Sequence, residues 1–290
     1  MEKIIITGAT GLIGSHLVQA LQQDGNYELY LLGNKPQHIT SQINHIPVDL
    51  SRDWDTSVLP ERPSAIIHLA QSPKFRDFPG SAEHVFYVNT LSTLKLAQYA
   101  QSNGVKNFIY ASSAGIYGNS NNHFEETQPI VYQKELGFYL ATKHCSEVVL
   151  QNYSTLMNVI TLRFFFVYGP GQKKDMLIPR LIGFVKDGQP ITLQGEEGIK
   201  INPTYVGDAV SAIKKCLDLN NSYNINVGGG DILSLKEIGT IIGNKLQKEP
   251  VFVNEMDREV KSLVGDINQM RTLLGIEPTP FDKGIETLLK

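Results

Sequence analysis

The sequence predicts an α/β protein: a doubly wound parallel sheet followed by a smaller C-terminal α/β lobe. Three observations carry that expectation. The chain opens on a β-branched apolar run, Ile4-Ile5-Ile6, which stops at Thr7-Gly8. Glycines recur at Gly8, Gly11 and Gly14 as Leu12, Ile13, Leu17, Ala20 and Leu21 take up helical spacing. Beyond this turn strand-like and helix-like segments alternate, as parallel strands joined by crossover helices require.

The next strands read as Tyr27 to Leu32, Ile43 to Val48 and Ser64 to Leu69. A long helical pattern through Val85, Val88, Leu91, Leu94, Leu96 and Ala97 ends at the stop signal Asn103-Gly104. A fifth strand, Asn107 to Ser113, is separated by a polar loop from a helix over about Glu135 to Tyr153, and a sixth strand covers Asn158 to Phe165. After Tyr168-Gly169-Pro170-Gly171 the elements shorten. Helices are read at Met176–Lys186, Val210–Leu219 and Leu235–Leu246, with strands near Ile191 and Tyr205 and at Tyr223–Val227, then two short helices. The division expected is a dinucleotide-binding domain over 1–166 and a substrate lobe over 167–290, with a discontinuous lobe left open.

Composition narrows the function classes. The 290 residues are 41% hydrophobic with a formal net charge of −3, which suits a sizeable core and disfavours a nucleic-acid or anionic-membrane surface. Cys145 and Cys216 are the only cysteines, so no C-x-x-C pair or disulfide framework is available. No apolar run has the length of a membrane span, and no signal peptide is read, so a cytoplasmic location is expected. The seven histidines show no metal-ligand spacing, and no metal is expected.

The order strand, glycine turn, helix points to a dinucleotide. The first glycine permits the tight turn, the second lets backbone approach a pyrophosphate, and the third lets helix and strand pack closely. The first helical turn offers unpaired N–H groups and the positive end of its dipole. Gly8, Thr10, Gly11, Leu12, Ile13 and Gly14 are the candidates there. Thr7, Asn34, Asp49, Ala70 and Ser113 all fall at strand carboxyl ends, where one crevice can collect them.

Tyr139 and Lys143 stand four apart on a predicted helix and project from one face. A free phenol, with a pKa of about 10, is a poor base near neutrality. A neighbouring ammonium and a positive nicotinamide ring would favour phenolate, and such a group can exchange a proton with a sugar hydroxyl or ketone. Ser113 can hydrogen-bond the same substrate oxygen. With 12 tyrosines, one Tyr-x-x-x-Lys can arise by chance, but this one follows a glycine turn and a serine-ended strand in order.

At these residues the chain resembles the extended short-chain dehydrogenase/reductases, the NAD-dependent epimerase/dehydratase group. The marks are Thr7-Gly8-x-x-Gly11-x-x-Gly14, His68-Leu69-Ala70, Asn89, Ser113 with Tyr117-Gly118, Tyr139-x-x-x-Lys143, and Arg163 before Val167-Tyr168-Gly169-Pro170-Gly171. Tyr205-Val206-Gly207-Asp208 and Asn224-Ile225-Asn226-Val227-Gly228 extend them, and the resemblance runs nearly to the C-terminus. It implies a Rossmann fold and a Ser113–Tyr139–Lys143 catalytic set, with Lys143 also holding the nicotinamide ribose. It puts Asp49 and Leu50 at the adenine, Leu69 and Ala70 along the cofactor's middle, and Asn89 as a bridge between cofactor loop and central helix. A homodimer is implied as well.

Departures from the family pattern matter. The second strand ends on Gly33-Asn34-Lys35 without the carboxylate usual in NAD-using members, a modest lean to NADP, with Asn34 and Lys35 as contacts. Dehydratase members carry Asp-Glu after the catalytic hydroxyl, where this chain has Ala114-Gly115. These small residues would leave room for a keto intermediate to turn over. Phe166 stands where nucleotide-sugar members often have Asn, and no Arg lies near Ile201. Gln71, Phe166, Arg180 and Lys200 are the candidate substrate contacts. The expectation is an NAD(P)-dependent epimerase of a sugar, with a nucleoside-diphosphate sugar as the leading substrate class. A ketosugar reductase is the nearest alternative, and a non-catalytic dinucleotide-binding redox sensor or an RNA-binding relative the more distant ones.

Overall fold

The computed structural model describes residues 1–34, 43–118, 120–130, 136–256 and 262–289. Strand β1 (Glu2–Thr7) leads through the glycine turn into α1 (Leu12–Asp24), followed by β2 (Tyr27–Leu32), β3 (Ile43–Ile46) and β4 (Ala65–His68). Helix α2 (Ala82–Phe86) continues through a π-helical turn, Tyr87–Leu91, into α3 (Ser92–Ser102). Then come β5 (Asn107–Ser113), α4 (Gly137–Gln151) and β6 (Asn158–Phe164). The remainder runs α5 (Leu177–Asp187), β7 (Pro190–Gln194), β8 (Lys200–Ile201), α6 (Val206–Cys216), β9 (Tyr223–Val227) and β10 (Leu233–Ser234). It ends with α7 (Leu235–Leu246), β11 (Val251–Glu255), α8 (Asn268–Leu274), α9 (Phe281–Gly284) and α10 (Glu286–Leu289).

The main sheet has seven strands in the order β3-β2-β1-β4-β5-β6-β9. Strands β3 to β5 pair in parallel, with Thr7 beside both Leu32 and His68, and His68 beside Tyr110. Their carboxyl ends are therefore level, and chain order reverses between β1 and β4, the switch point where such sheets hold ligands. Ile4, Ile5, Ile6, Ile66, Ile67, Phe108 and Ile109 are all fully buried. Covered on both faces, these strands read as continuous apolar runs rather than alternating ones.

The chain divides into two compact units. The first comprises Met1–Ile116, the α4–β6 stretch to Arg163, and Val210–Ile225. The second takes Phe164–Ala209 and the chain from Asn226 onward, with the stretch beginning at Tyr117. Its core gathers Tyr168, Ile178, Leu181, Val185, Leu193, Ile238 and Phe281, flanked by the ribbons β8–β10 and β7–β11. Several of the sequence marks are clamps inside it. Asp208 accepts the Thr279 N–H at 2.8 Å and its hydroxyl at 2.9 Å. Asn226 accepts the Tyr117 hydroxyl at 2.9 Å and donates to the carbonyls of Phe124 and Asp266.

Some elements differ from expectation. The strand near Tyr205 is a single bridge to Tyr168, and α6 starts at Val206 rather than Val210. The Val206 N–H is met by the Tyr168 carbonyl at 2.8 Å, so the helix can begin at once. Strand β3 stops at Ile46, short of Val48. Among the described residues no helix is long and apolar enough to cross a membrane.

Candidate active site

The turn after β1 is closed by Gly11 N–H on the Gly8 carbonyl at 2.9 Å. Gly8 has φ +70°, and a Cβ there would lie 2.7 Å from the Ala70 nitrogen. A Cβ on Gly14 would lie 2.2 Å from the Gly8 carbonyl oxygen, so both positions admit glycine alone. Gly11 caps α1 in extended backbone with no side chain bonded to the helix N-terminus. Thr10 is exposed and Leu12 and Ile13 are half-buried at this end. Close backbone approach with an uncapped helix start fits a pyrophosphate.

Around the turn, Leu69 is half-buried, and the Ala70 N–H donates to Thr7 Oγ1 at 3.0 Å. Asn34 is exposed at the end of β2, whereas Lys35 lies outside the described residues. Asp49 accepts the Ser51 N–H at 3.0 Å and hydroxyl at 2.7 Å, and pairs with Arg52 Nε at 2.9 Å. The Ser51 hydrogen bonds chiefly, with Asn34 and Arg52, hold its carboxyl down to about 2. Leu50 is buried in the core.

Helix α4 positions the candidate catalytic groups. The Tyr139 hydroxyl donates to Gln71 Oε1 at 2.7 Å, and its ring lies 5.2 Å from that of Phe75. One turn on, Lys143 is 1% exposed. Its Nζ donates to the Ala111 carbonyl of β5 at 2.8 Å and lies 5.0 Å from the Tyr110 ring centroid. A further turn on, Glu147 forms a buried two-point pair with Arg163, Nη2–Oε2 2.8 Å and Nε–Oε1 3.2 Å. Ser113, at the end of β5, accepts the Gly115 N–H at 3.2 Å.

Burial lowers Lys143 to about 7, with the Glu147 carboxylate opposing the shift. Burial raises Tyr139 above its ordinary value. Lys143 donates to Ala111, and desolvation is what shifts Tyr139. The expected space beside Ser113 is corrected. A Cβ on Gly115 would lie 2.9 Å from both Leu140 methyl carbons, so that volume is filled.

Asn89 forms the bridge that the resemblance implied. From the π-helical turn, its Oδ1 accepts the Ser72 N–H at 2.9 Å and its Nδ2 donates to Thr142 Oγ1 at 2.9 Å. The Thr142 hydroxyl in turn donates to the Tyr139 carbonyl at 2.7 Å. The Thr93 hydroxyl donates to the Asn89 carbonyl of that turn at 2.6 Å.

Gln71 thus joins Tyr139, while the other candidate substrate contacts belong to the second unit. Phe166 is half-buried with φ +42°, a left-handed backbone unusual for so bulky a residue. Arg180 is exposed on α5, and Lys200 is exposed on β8 near the charge of Glu197. Sequence reading missed Phe75, which carries no motif. It also missed Glu147, although the four-residue spacing from Tyr139 to Lys143 continues to it.

Residues 4–228 match the model of the NAD dependent epimerase/dehydratase family, and the chain belongs to that family. The UDP-glucuronate 4-epimerase of Thermodesulfobacterium geofontis is 32% identical over 225 residues, 74% of this chain and 68% of that protein. The UDP-glucuronic acid 4-epimerase of Bacillus cereus, solved with UDP-glucuronic acid and NAD, superposes with a TM-score of 0.86 at 26% identity. That match covers 98% of this chain and 97% of the other. MoeE5, solved with UDP-glucuronic acid and NAD, gives a TM-score of 0.84 at 28% identity with the same coverages.

Proposed function

We propose that this chain epimerises a nucleoside-diphosphate sugar by transient hydride transfer to a nicotinamide dinucleotide. The observation that carries the reading is Tyr139 and the buried Lys143 on one face of α4, with Lys143 bonded to the strand that ends at Ser113. The glycine turn and the uncapped start of α1 are suited to hold the pyrophosphate, with Lys143 at the ribose. When bound, the nicotinamide accepts and returns hydride. Tyr139 takes the proton of the sugar hydroxyl and later returns it, while Ser113 hydrogen-bonds the same oxygen. Lys143 keeps a positive charge near the phenol in its protonated form.

Expulsion of water needs a further acid/base pair, and Ala114-Gly115 offers neither group. Epimerisation needs only the hydride and proton shuttles. The test is incubation with UDP-sugars, following product by chromatography and nicotinamide by absorbance. Product without net absorbance change is expected. Oxidation of NADPH or NADH in step with turnover overturns the reading in favour of the ketosugar reductase.

The relatives solved with NAD support that cofactor, and the end of β2, lacking a carboxylate, supports NADP. We take NADP as the reading to test. Equal or tighter NAD binding, unchanged by Lys35→Ala, overturns it. A homodimer in the cytoplasm belongs to the same proposal, and sedimentation equilibrium tests the dimer.

A further inference from the structure

We propose that His68 is a positioning residue, a neutral imidazole protonated on Nε2 that ties the glycine turn to the Asn89 bridge carrying Tyr139. The inference rests on the reading that the turn holds the dinucleotide and Tyr139 moves the proton.

The proton positions follow from counting donors. Thr7, His68, Asn89 and Thr93 are each completely buried, so every polar atom among them needs a partner. The Thr93 hydroxyl gives its only hydrogen to the Asn89 carbonyl at 2.6 Å. It can therefore only accept from His68, whose Nε2 lies 3.0 Å away, and Nε2 must carry hydrogen. On the other ring edge, His68 Nδ1 lies 2.6 Å from Thr7 Oγ1, which already accepts the Ala70 N–H. With Nδ1 bare, the Thr7 hydroxyl donates to it and every group is satisfied. An imidazolium would donate from both nitrogens and leave the Thr7 hydrogen without an acceptor. Burial acts in the same direction, followed by the Lys143 charge, holding the ring at about 3.

Each end of this relay touches working parts. Thr7 directly precedes Gly8, and the Ala70 amide it holds is the atom against which Gly8 packs. At the far end Asn89 fixes the Ser72 amide, next to Gln71, and through Thr142 the Tyr139 carbonyl. Its own carbonyl also accepts the Ser146 hydroxyl of α4 at 2.8 Å. Direct hydrogen bonds thus run from the glycine turn to the backbone of the tyrosine.

Two substitutions divide the relay. Asn places an acceptor near the position of Nδ1, whereas Gln places a donor near that of Nε2. His68→Asn keeps the Thr7 side and should lose about tenfold in kcat while losing much less in dinucleotide affinity. His68→Gln keeps the Thr93 side and should show the reverse, about tenfold weaker dinucleotide binding with a smaller loss in kcat. Nitrogen-15 NMR of histidine-labelled wild-type protein at pH 7 reads the tautomer without any variant, with hydrogen expected on Nε2 of His68. Hydrogen on Nδ1, or parallel loss of affinity and kcat in both variants, overturns the proposal. If the variants do not fold, the NMR result decides alone. A wild-type protein that binds neither NAD nor NADP instead overturns the functional reading, whichever tautomer is found.

Discussion

The Tyr139 hydroxyl donates to the Gln71 side-chain oxygen across 2.7 Å, so a neutral amide holds the phenol in its protonated form. Hydrogen bonding to the neutral form of an acid raises its pKa. Gln71→Leu removes that bond and should move the rising limb of the kcat–pH profile to lower pH, leaving dinucleotide affinity unchanged. Gln71→Glu places a negative charge there and should move the rising limb of the kcat–pH profile to higher pH. A profile of the Gln71→Glu variant that superposes on wild type would show that the contact is absent during turnover.

Tyr139→Phe should reduce turnover about a thousandfold, the range of general acid–base catalysis, with dinucleotide affinity nearly intact. Lys143→Ala should damage both, since the ammonium serves phenol and ribose. Equilibrium titration beside steady-state kinetics separates the two, and wild-type turnover by the Tyr139→Phe variant removes the assignment.

Lys143 also makes stability depend on pH. Its ammonium has an ordinary value of 10.5 and falls to about 7 in the fold because it is buried. Between those values the unfolded chain binds a proton that the folded chain lacks, so this group's contribution to stability rises with pH. Below about 7 the full penalty is present. Lys143→Met should therefore gain stability over wild type most at about pH 6.5, with the gap closing towards about pH 10. Urea unfolding at both pH values checks it, and a gap that does not change with pH would exclude burial as the cause.

Gly14→Ala should abolish dinucleotide binding and destabilise the protein, since its Cβ would meet the Gly8 oxygen at 2.2 Å. Gly25→Ala is the control. Gly25 has φ +71° with open space around it. The change should cost only about 1 kcal/mol of backbone strain and leave binding intact. Thermal unfolding with and without dinucleotide distinguishes the two.

What was legible in the sequence follows burial. Strands β1, β4 and β5 are covered on both faces and show as unbroken apolar runs, and the turn beside them needs glycine for steric reasons. Strand β11 was missed because Phe252 alone turns inward, between Val251 and Val253 at 46% and 49% exposed, too short a pattern to mark a face. The segment near Tyr205 looks strand-like, yet Asn202 and Thr204 are buried as hydrogen-bonding clamps rather than alternating outward. The Tyr139–Lys143 spacing was readable, but the partners of the two groups, Gln71 and the Ala111 carbonyl, arise from strand register and loop course. The left-handed backbone of Phe166 leaves no trace in a residue type that avoids it.

The packing of Leu140 against Gly115 bears on how this chain's chemistry could change by descent. A side chain at position 115 would lie against the Leu140 methyl carbons, so it can enter only as Leu140 turns aside. A shorter residue at 140 would ease that movement, with no catalytic gain of its own. Any route from this site to a water-expelling one therefore runs through Leu140, and substitutions at 115 and 140 should act on each other rather than add.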